Sequence, residues 1–281
     1  MSLCCTDFKT SLETDGFFVV ENLLSPAEVR EYAANLTRLC AECGEDGVYP
    51  HPRLNIQYEP GFVNAGLTPA QRELGIRKYH GTGLVDPWFW NSVRSPKLRP
   101  FLEQALGARP KILQAMALVK PPEIGSPKDW HQDSPYFSFS PRNECLGVWV
   151  AIDEATHDNG CMQVIPGSHL LGEIPHVQGP TGWRLDPAVV AQHQDRVVAL
   201  PMKPGSALIF NPLTLHFTDS NTTKQRRRAF QYHYVSERTT AKDAIHQAYP
   251  LDSAEPPLAK FRTKELWDAY CATFKKRAQA G

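Results

Sequence analysis

The chain has 281 residues, long for one domain but within the range of large β-sandwiches and barrels, and ample to bury a core. Thirty Lys and Arg balance thirty Asp and Glu, which leaves no basic field for nucleic acid, and no apolar run is long enough to span a bilayer. Seven cysteines, an odd number, fit a reducing cytosol better than a disulfide framework, and 24 prolines imply many turns and irregular lids. The N-terminus has no charged-then-apolar leader, and the C-terminal Gln279-Ala280-Gly281 is neither a peroxisomal nor a retention tripeptide. A cytoplasmic protein is expected.

Residues 7–14 read as a short polar helix ending at the turn signal Asp15-Gly16, and Phe17 to Glu21 as a brief strand. Ser25-Pro26-Ala27-Glu28 is a capping box with proline at the first helical position, opening a helix to about Cys43. That helix carries Cys40 and Cys43. No second C-x-x-C pair follows and Leu36 and Leu39 share their face, so buried thiols are favoured over a metal or redox pair. Residues 44–66, rich in Gly, Pro and Asn, read as a long loop or lid. Thr68-Pro69-Ala70-Gln71 repeats the capping-box chemistry, with Lys78 at the end of its helix. Asp86-Pro87 opens a helix to about Val93, and Ser95-Pro96 opens another that ends before Gly107. Residues 1–110 are thus a mainly helical flank.

From Lys111 the period changes to two. Gln114, Met116, Leu118 and Lys120 share one strand face; Leu113, Ala115, Ala117 and Val119 share the other. Trp130-His131-Gln132-Asp133 follows, then an aromatic segment with Tyr136, Phe137 and Phe139. In the strand at 145–152, Leu146, Val148, Val150 and Ile152 form the apolar face, with Gly147 and Trp149 opposite. Asn159-Gly160 is a hairpin signal leading into a strand from Cys161 to Ile165, with Pro166-Gly167-Ser168-His169 as its exit. Residues 170–196 look like an insertion. Val197–Leu200, Ala207–Phe210, Leu215–Thr218 and Arg227–Val235 are closing strands, and the tail from Leu258, with Trp267 and Tyr270, is a helix candidate. The pattern predicts one α+β domain with a jelly-roll core at 111–235 and a C-terminal extension at 236–281.

His131 and Asp133 are two apart, so on a strand both side chains leave one face and can grip one cation. With His216 they make the two-histidine, one-carboxylate set that suits non-haem Fe(II) and leaves open positions. Zinc in a hydrolase is the competing reading. Arg227, eleven residues after His216, separates the two, because its rigid fork pairs with a carboxylate such as the far end of 2-oxoglutarate. Arg226 and Arg228 are expected on the opposite face, toward solvent, whereas His233 alternates with Arg227 toward the cavity. His169 reads as structural; His51, His80, His157, His176, His193 and His246 read as surface residues.

His131-x-Asp133, His216 followed by Arg227, Leu146-Gly147-Val148-Trp149, Asn159-Gly160 leading to Ile165-Pro166-Gly167-Ser168-His169, and the early Asp15-Gly16-Phe17 together resemble the phytanoyl-CoA dioxygenase family, over roughly residues 10–235. The resemblance implies a double-stranded β-helix (cupin-like) core and a non-haem iron, 2-oxoglutarate-dependent dioxygenase. It also implies His131, Asp133 and His216 as iron ligands and Arg227 as the 2-oxoglutarate anchor. Lys78, Met116 and Trp149 match cosubstrate-pocket positions, and Gln114 shares Met116's face. Related halogenases replace the ligand carboxylate with a small residue; Asp133 favours hydroxylation, with release of succinate and CO2. Dioxygen and a small, mainly apolar substrate are the expected partners, ascorbate the expected support for activity. Trp130, Tyr136, Phe137, Phe139 and Phe230 are expected to form an aromatic pocket. In such folds the loops at 44–66 and 170–196 and the segment after Arg238 select the substrate. The alternatives are a metal-dependent isomerase or hydrolase on the same barrel, or a non-catalytic metal-binding or sensor domain. No oligomeric state is indicated.

Overall fold

The computed structural model describes residues 5–44, 51–179 and 182–280; parts of the loops expected at 44–66 and 170–196, and Gly281 of the C-terminal tripeptide, lie outside them. In chain order the elements are α1 (Cys5–Thr14), β1 (Phe17–Val20), α2 (Pro26–Glu42), β2 (Asn55–Tyr58), α3 (Pro69–Glu73), β3 (Ile76–His80), α4 (Thr82–Val85), α5 (Pro87–Val93) and α6 (Arg99–Leu106). The strands β4 (Lys111–Lys120), β5 (Lys128–His131), β6 (Phe139–Ser140), β7 (Cys145–Ala151), β8 (Met162–Val164), β9 (His176–Gly179) and β10 (Gly182–Leu185) follow. Helix α7 (Pro187–Ala191) precedes β11 (Val198–Leu200), β12 (Ala207–Phe210), β13 (His216–Thr218) and β14 (Arg227–Val235). The short β15 (Thr240–Ala241) and β16 (Tyr249–Pro250) and then α8 (Lys264–Ala280) close the chain.

Two antiparallel sheets form the jelly roll. The larger runs β1-β12-β7-β14-β4-β3-β2, with β16 also on β4; the smaller runs β11-β8-β13-β5. Their faces obey the period-two rule: Val148, Val150, Phe230 and Tyr232 join the core with helical residues Leu36, Phe89, Trp90 and Leu102. The Tyr234 hydroxyl donates to the Val93 carbonyl at 2.7 Å, tying α5 to that outer face. Trp149, Ala151 and Ala229 face inward and pack with Met162 and Val164 of the smaller sheet. The functional cavity lies between the sheets.

The structure revises several expectations. Residues 55–58 and 76–80 are strands that extend the large sheet, so Lys78 sits on β3, opposite Leu118, and not at a helix end. The α3 capping box forms, but it supports only five residues, because pairing with β4 captures the chain directly afterwards. Asn159-Gly160 is a tight turn, with Gly160 at φ +81°, where an added Cβ would lie 2.3 Å from the Asp219 carbonyl. It makes no hairpin: β7 and β8 belong to different sheets, and the turn carries the chain across. The stretch at 170–196 contains the β9–β10 hairpin and α7. Cys40 and Cys43 are buried thiols, as expected.

Phe230 faces the helices, against Tyr32 and Phe89; Trp130 stacks on Phe217, and Phe139 packs with Leu113 and Cys145. Only Tyr136 and Phe137 of the expected aromatic set line the cavity. His51 is buried, with Nε2 2.7 Å from the Leu258 carbonyl oxygen, and His80 lines the cavity.

Arg228 does leave the opposite face from Arg227, yet it does not reach solvent. Its Nε and Nη2 each donate to Asp153 at 2.8 Å, and its backbone N–H does the same. Arg226 pairs with the buried Glu73 at 2.8 Å. Outward-facing positions of β14 are covered by other elements, so charge there needs a partner. Arg228→Ala is expected to cost about 1.5–3 kcal/mol, the range for charge-assisted hydrogen bonds. It should appear as a lower urea midpoint with an unchanged slope; an unchanged midpoint would mean that water substitutes for the guanidinium.

Candidate metal centre

Strand β5 delivers His131, and β13, its neighbour, delivers His216 directly opposite. Asp133 is not on a strand. The chain leaves β5 after His131, Asp133 takes an α-like conformation (φ −79°, ψ −29°), and its N–H donates to the Pro212 carbonyl at 2.8 Å. The two-apart spacing therefore brings both ligand groups together through a turn and not through strand alternation. Gln132 anchors that turn: its side-chain N–H groups donate to the Gly172 and Leu213 carbonyls, and its Oε1 accepts from the Ile174 N–H. His176, expected at the surface, accepts the Gln132 N–H at 2.9 Å.

One ligand atom from each of His131, Asp133 and His216 lies within 4.8 Å of the others, and this is the one such cluster among the described residues. Asp133 Oδ1 is 3.4 Å from His131 Nε2 and 3.6 Å from His216 Nε2. Each imidazole Nδ1 faces a carbonyl oxygen, of Asp129 at 2.7 Å and of Thr214 at 2.9 Å. A carbonyl only accepts, so Nδ1 carries the proton and both Nε2 lone pairs face the third ligand. Burial and then His216 push His131 down to about 3, so its ring is neutral. Burial pushes Asp133 up, but its neighbours His216, His131 and His233 together hold its carboxyl well below the usual range. Two neutral imidazoles and one carboxylate suit a divalent cation with open coordination positions.

The second carboxylate oxygen is also held. Gln231 Nε2 donates to Asp133 Oδ2 at 2.7 Å, and His233 Nε2 does so at 3.0 Å. His233, which shares the strand face of Arg227, thus reaches the site, while Gln231, two residues before it on the same face, had no motif to announce it.

The ladder explains how the cavity wall is assembled. Gln231 is opposite Trp149 on one side and Met116 on the other, and Met116 is opposite His80. Gln114 is opposite His233, and Arg227 opposite Lys120. Gln114, Met116, Lys78, Trp149 and Arg227 therefore all line one cavity of about 280 Å³ with the three candidate ligands. Arg227 is 2% exposed, and its guanidinium carbon lies 5.4 Å from the Trp149 ring. Burial lowers it to about 10, so it remains charged. Its Nε and Nη1 have no acceptor among the described residues, nor has Trp149 Nε1. Buried donors of this kind are rarely left unsatisfied, so the site calls for an anionic acceptor from outside the chain. Lys120 differs: burial and then the Arg227 charge push it down to about 6, and its Nζ donates to the Ser126 carbonyl at 2.6 Å.

Asp133→Ala is expected to remove tight Mn(II) binding, because imidazoles alone cannot offset a dication as a carboxylate does. His233→Leu, which only frees the carboxylate to turn, weakens Mn(II) binding by roughly 10–100-fold, as expected for groups that orient a ligand. Electron paramagnetic resonance titration of both variants checks this; equal losses would mean that His233 is itself a ligand.

The comparisons with known proteins agree with this architecture. A phytanoyl-CoA dioxygenase (PhyH) family model matches residues 12–229. A curated relative, the phytanoyl-CoA dioxygenase domain-containing protein 1 homolog of Caenorhabditis briggsae, is 25% identical over 268 residues, covering 84% of this chain and 92% of the relative. Among solved structures, the epimerase SnoN in complex with Fe3+, alpha ketoglutarate and nogalamycin RO superposes with a TM-score of 0.64 at 21% identity, covering 89% of this chain and 87% of its own. EctD from S. alaskensis with 2-oxoglutarate and 5-hydroxyectoine gives a TM-score of 0.65 at 22% identity, covering 87% and 80%. With most of its length matched by the family model, the chain belongs to the phytanoyl-CoA dioxygenase family.

Proposed function

We propose that this protein is an Fe(II)- and 2-oxoglutarate-dependent dioxygenase that hydroxylates a C–H bond of a small molecule and releases succinate and CO2. The observation that carries the reading is Arg227: a buried, charged fork with two unpaired donors, in the same cavity as the His131–Asp133–His216 cluster. A hydrolytic zinc site has no need of it, nor does an idle metal-binding domain. Its expected partner is the far carboxylate of 2-oxoglutarate, for which a guanidinium supplies two parallel hydrogen bonds.

His131, Asp133 and His216 would hold the iron, which supplies dioxygen activation when bound. The remaining tasks fall to the chain. Gln231 and His233 fix the carboxylate, so that the ligand set does not reorganise during turnover. Trp149 and Met116 wall the space between metal and Arg227 and keep water out. Lys78 and Gln114 are further cavity-lining candidates for the cosubstrate. SnoN is an epimerase, and EctD was crystallised with 5-hydroxyectoine. The choice of hydroxylation here rests on the intact ligand set and is tested by isotope incorporation from labelled dioxygen into the product.

Purified protein with Fe(II), ascorbate, dioxygen and 2-oxoglutarate should release succinate slowly even without substrate. Absence of 2-oxoglutarate binding by calorimetry would end the dioxygenase reading. Arg227→Ala provides the sharper measurement. Losing one partner of a buried ion pair costs about 3–5 kcal/mol, which at ~1.4 kcal/mol per decade is a roughly 10²–10⁴-fold loss of 2-oxoglutarate affinity. Mn(II) binding should be retained, since the arginine touches no metal ligand, and that retention also reports a folded protein. Equal weakening of metal and cosubstrate would instead assign Arg227 a structural role.

A further inference from the structure

Two irregularities in the strands aim cations into the cavity. Along β2 and β3, Gln57 is opposite Lys78 but Tyr58 is opposite Ile76, so Arg77 is an extra, unpaired residue on β3. Regular alternation would send Arg77 and Lys78 to opposite faces; with the bulge both line the cavity. Along β5 and β13, His131 is opposite His216 but Lys128 is opposite Thr218, so β5 spends one residue more than its partner. That second bulge brings Lys128 onto the same wall as His131, although the two are three apart.

These charges have no counterions in the cavity. The Arg77 and Lys78 side chains make no hydrogen bond or ion pair among the described residues, where the Lys128 ammonium donates only to neutral oxygens, the Tyr136 hydroxyl at 2.8 Å and the Trp183 carbonyl at 2.9 Å. Asp133 is the one carboxylate among the lining residues, and it belongs to the metal cluster. Asp129, next to Lys128, is not in the lining, and its charge raises Lys128 less than that of Asp133 does. Burial first, and then neighbouring positive charge, lower both Lys78 and Lys128, Lys128 to about 8. Formal charge makes the same point. A dication, Asp133, Arg227 and the two carboxylates of 2-oxoglutarate sum to zero. Assigning Lys78 to the cosubstrate as well still leaves Arg77 and Lys128 unmatched.

We propose that Arg77 and Lys128 bind an anionic group of the substrate inside the cavity, so that the molecule oxidised is a small acid, a carboxylate or a phosphate ester. The cavity of about 280 Å³ lies just under the usual range of roughly 300–1,000 Å³ for small-ligand sites. It must also admit the cosubstrate, which keeps the anion close to the carbon that reacts. Apolar wall from Leu118, Met162 and Phe137 remains for the rest of the substrate.

This inference rests on the dioxygenase reading, and its test separates the two. Full-length protein loaded with Mn(II) is first titrated with 2-oxoglutarate by calorimetry without oxygen; no binding there removes both readings. At saturating 2-oxoglutarate, the complex is then titrated with benzoate, phenyl phosphate, inorganic phosphate and neutral benzamide. At least one anion is expected to bind roughly tenfold or more tightly than benzamide, about 1.4 kcal/mol. Which one binds best assigns carboxylate or phosphate. The preference should vanish in the Arg77→Gln, Lys128→Gln double variant and survive in Lys128→Arg, with 2-oxoglutarate affinity retained in both. No preference for anions over benzamide, or a preference unchanged in the double variant, overturns the proposal while leaving the dioxygenase reading in place.

Discussion

A carboxylate buried between two imidazoles is the constraint on which the centre depends. Asp133 is 7% exposed, and an ionised group so placed is costly unless every lone pair is used. Gln231 and His233 occupy one oxygen; the other faces His131 and His216. Burial keeps the His131 ring neutral, so a cation completes the electrostatics. The backbone carbonyls of Asp129 and Thr214 fix both rings in the tautomer that a metal requires. Nothing in this arrangement depends on a flexible loop closing first. Donors and acceptors are set by strands, one short turn and its glutamine anchor.

Strand β14 links the metal site to the cosubstrate pocket. Arg227, Gln231 and His233 share its inner face, because they are separated by even numbers of residues. Two of them brace Asp133, and the third presents donors to the cavity that have no partner among the described residues. Its outer face holds Phe230, Tyr232 and Tyr234 against the helices, and Arg228 against Asp153. One strand thus carries the helical flank on one side and the chemistry on the other. A one-residue slip would exchange the two sets, which gives the apolar core a direct role in holding the site's register.

Much of this was legible in the sequence. Alternation correctly divided Leu146, Val148 and Val150 from Gly147 and Trp149, and it placed Arg227 and His233 together. Local chemistry also read true: the Ser25 and Thr68 capping boxes form as written. The failures have a common cause in pairing between distant segments. A capping box near residue 68 is a local signal, whereas the strand containing Lys78 exists because β4 accepts it some forty residues later. Outer-face arginines look solvent-bound until Asp153 and Glu73 arrive from elsewhere in the fold. Phe230 looked like pocket lining only while its parity relative to Arg227 was ignored. Asp133 was placed correctly for an inexact reason, since a turn does the work assigned to the strand.

Bulges are the features that alternation is least able to foresee, and two of those in this fold coincide with cations. A bulge leaves an unpaired residue and weakens the ladder locally, and grouping positive charges in a buried cavity raises the energy further. A protein selected only for stability would lose by both. The two bulges lie on strands of different sheets, β3 and β5, yet each adds a basic side chain to the same lining. Arg227 is the opposite case, a cation delivered by regular pairing at the point where the cosubstrate carboxylate is expected. The contrast suggests a division of labour in the cavity wall. The ladder of β14, β4 and β7, regular from Arg227 to His233, builds the part common to metal and cosubstrate, and the irregular positions on β3 and β5 supply charge for whatever else must enter. Violations of local order that cost stability are most readily understood at functional sites, where a bound partner restores what the empty site lacks.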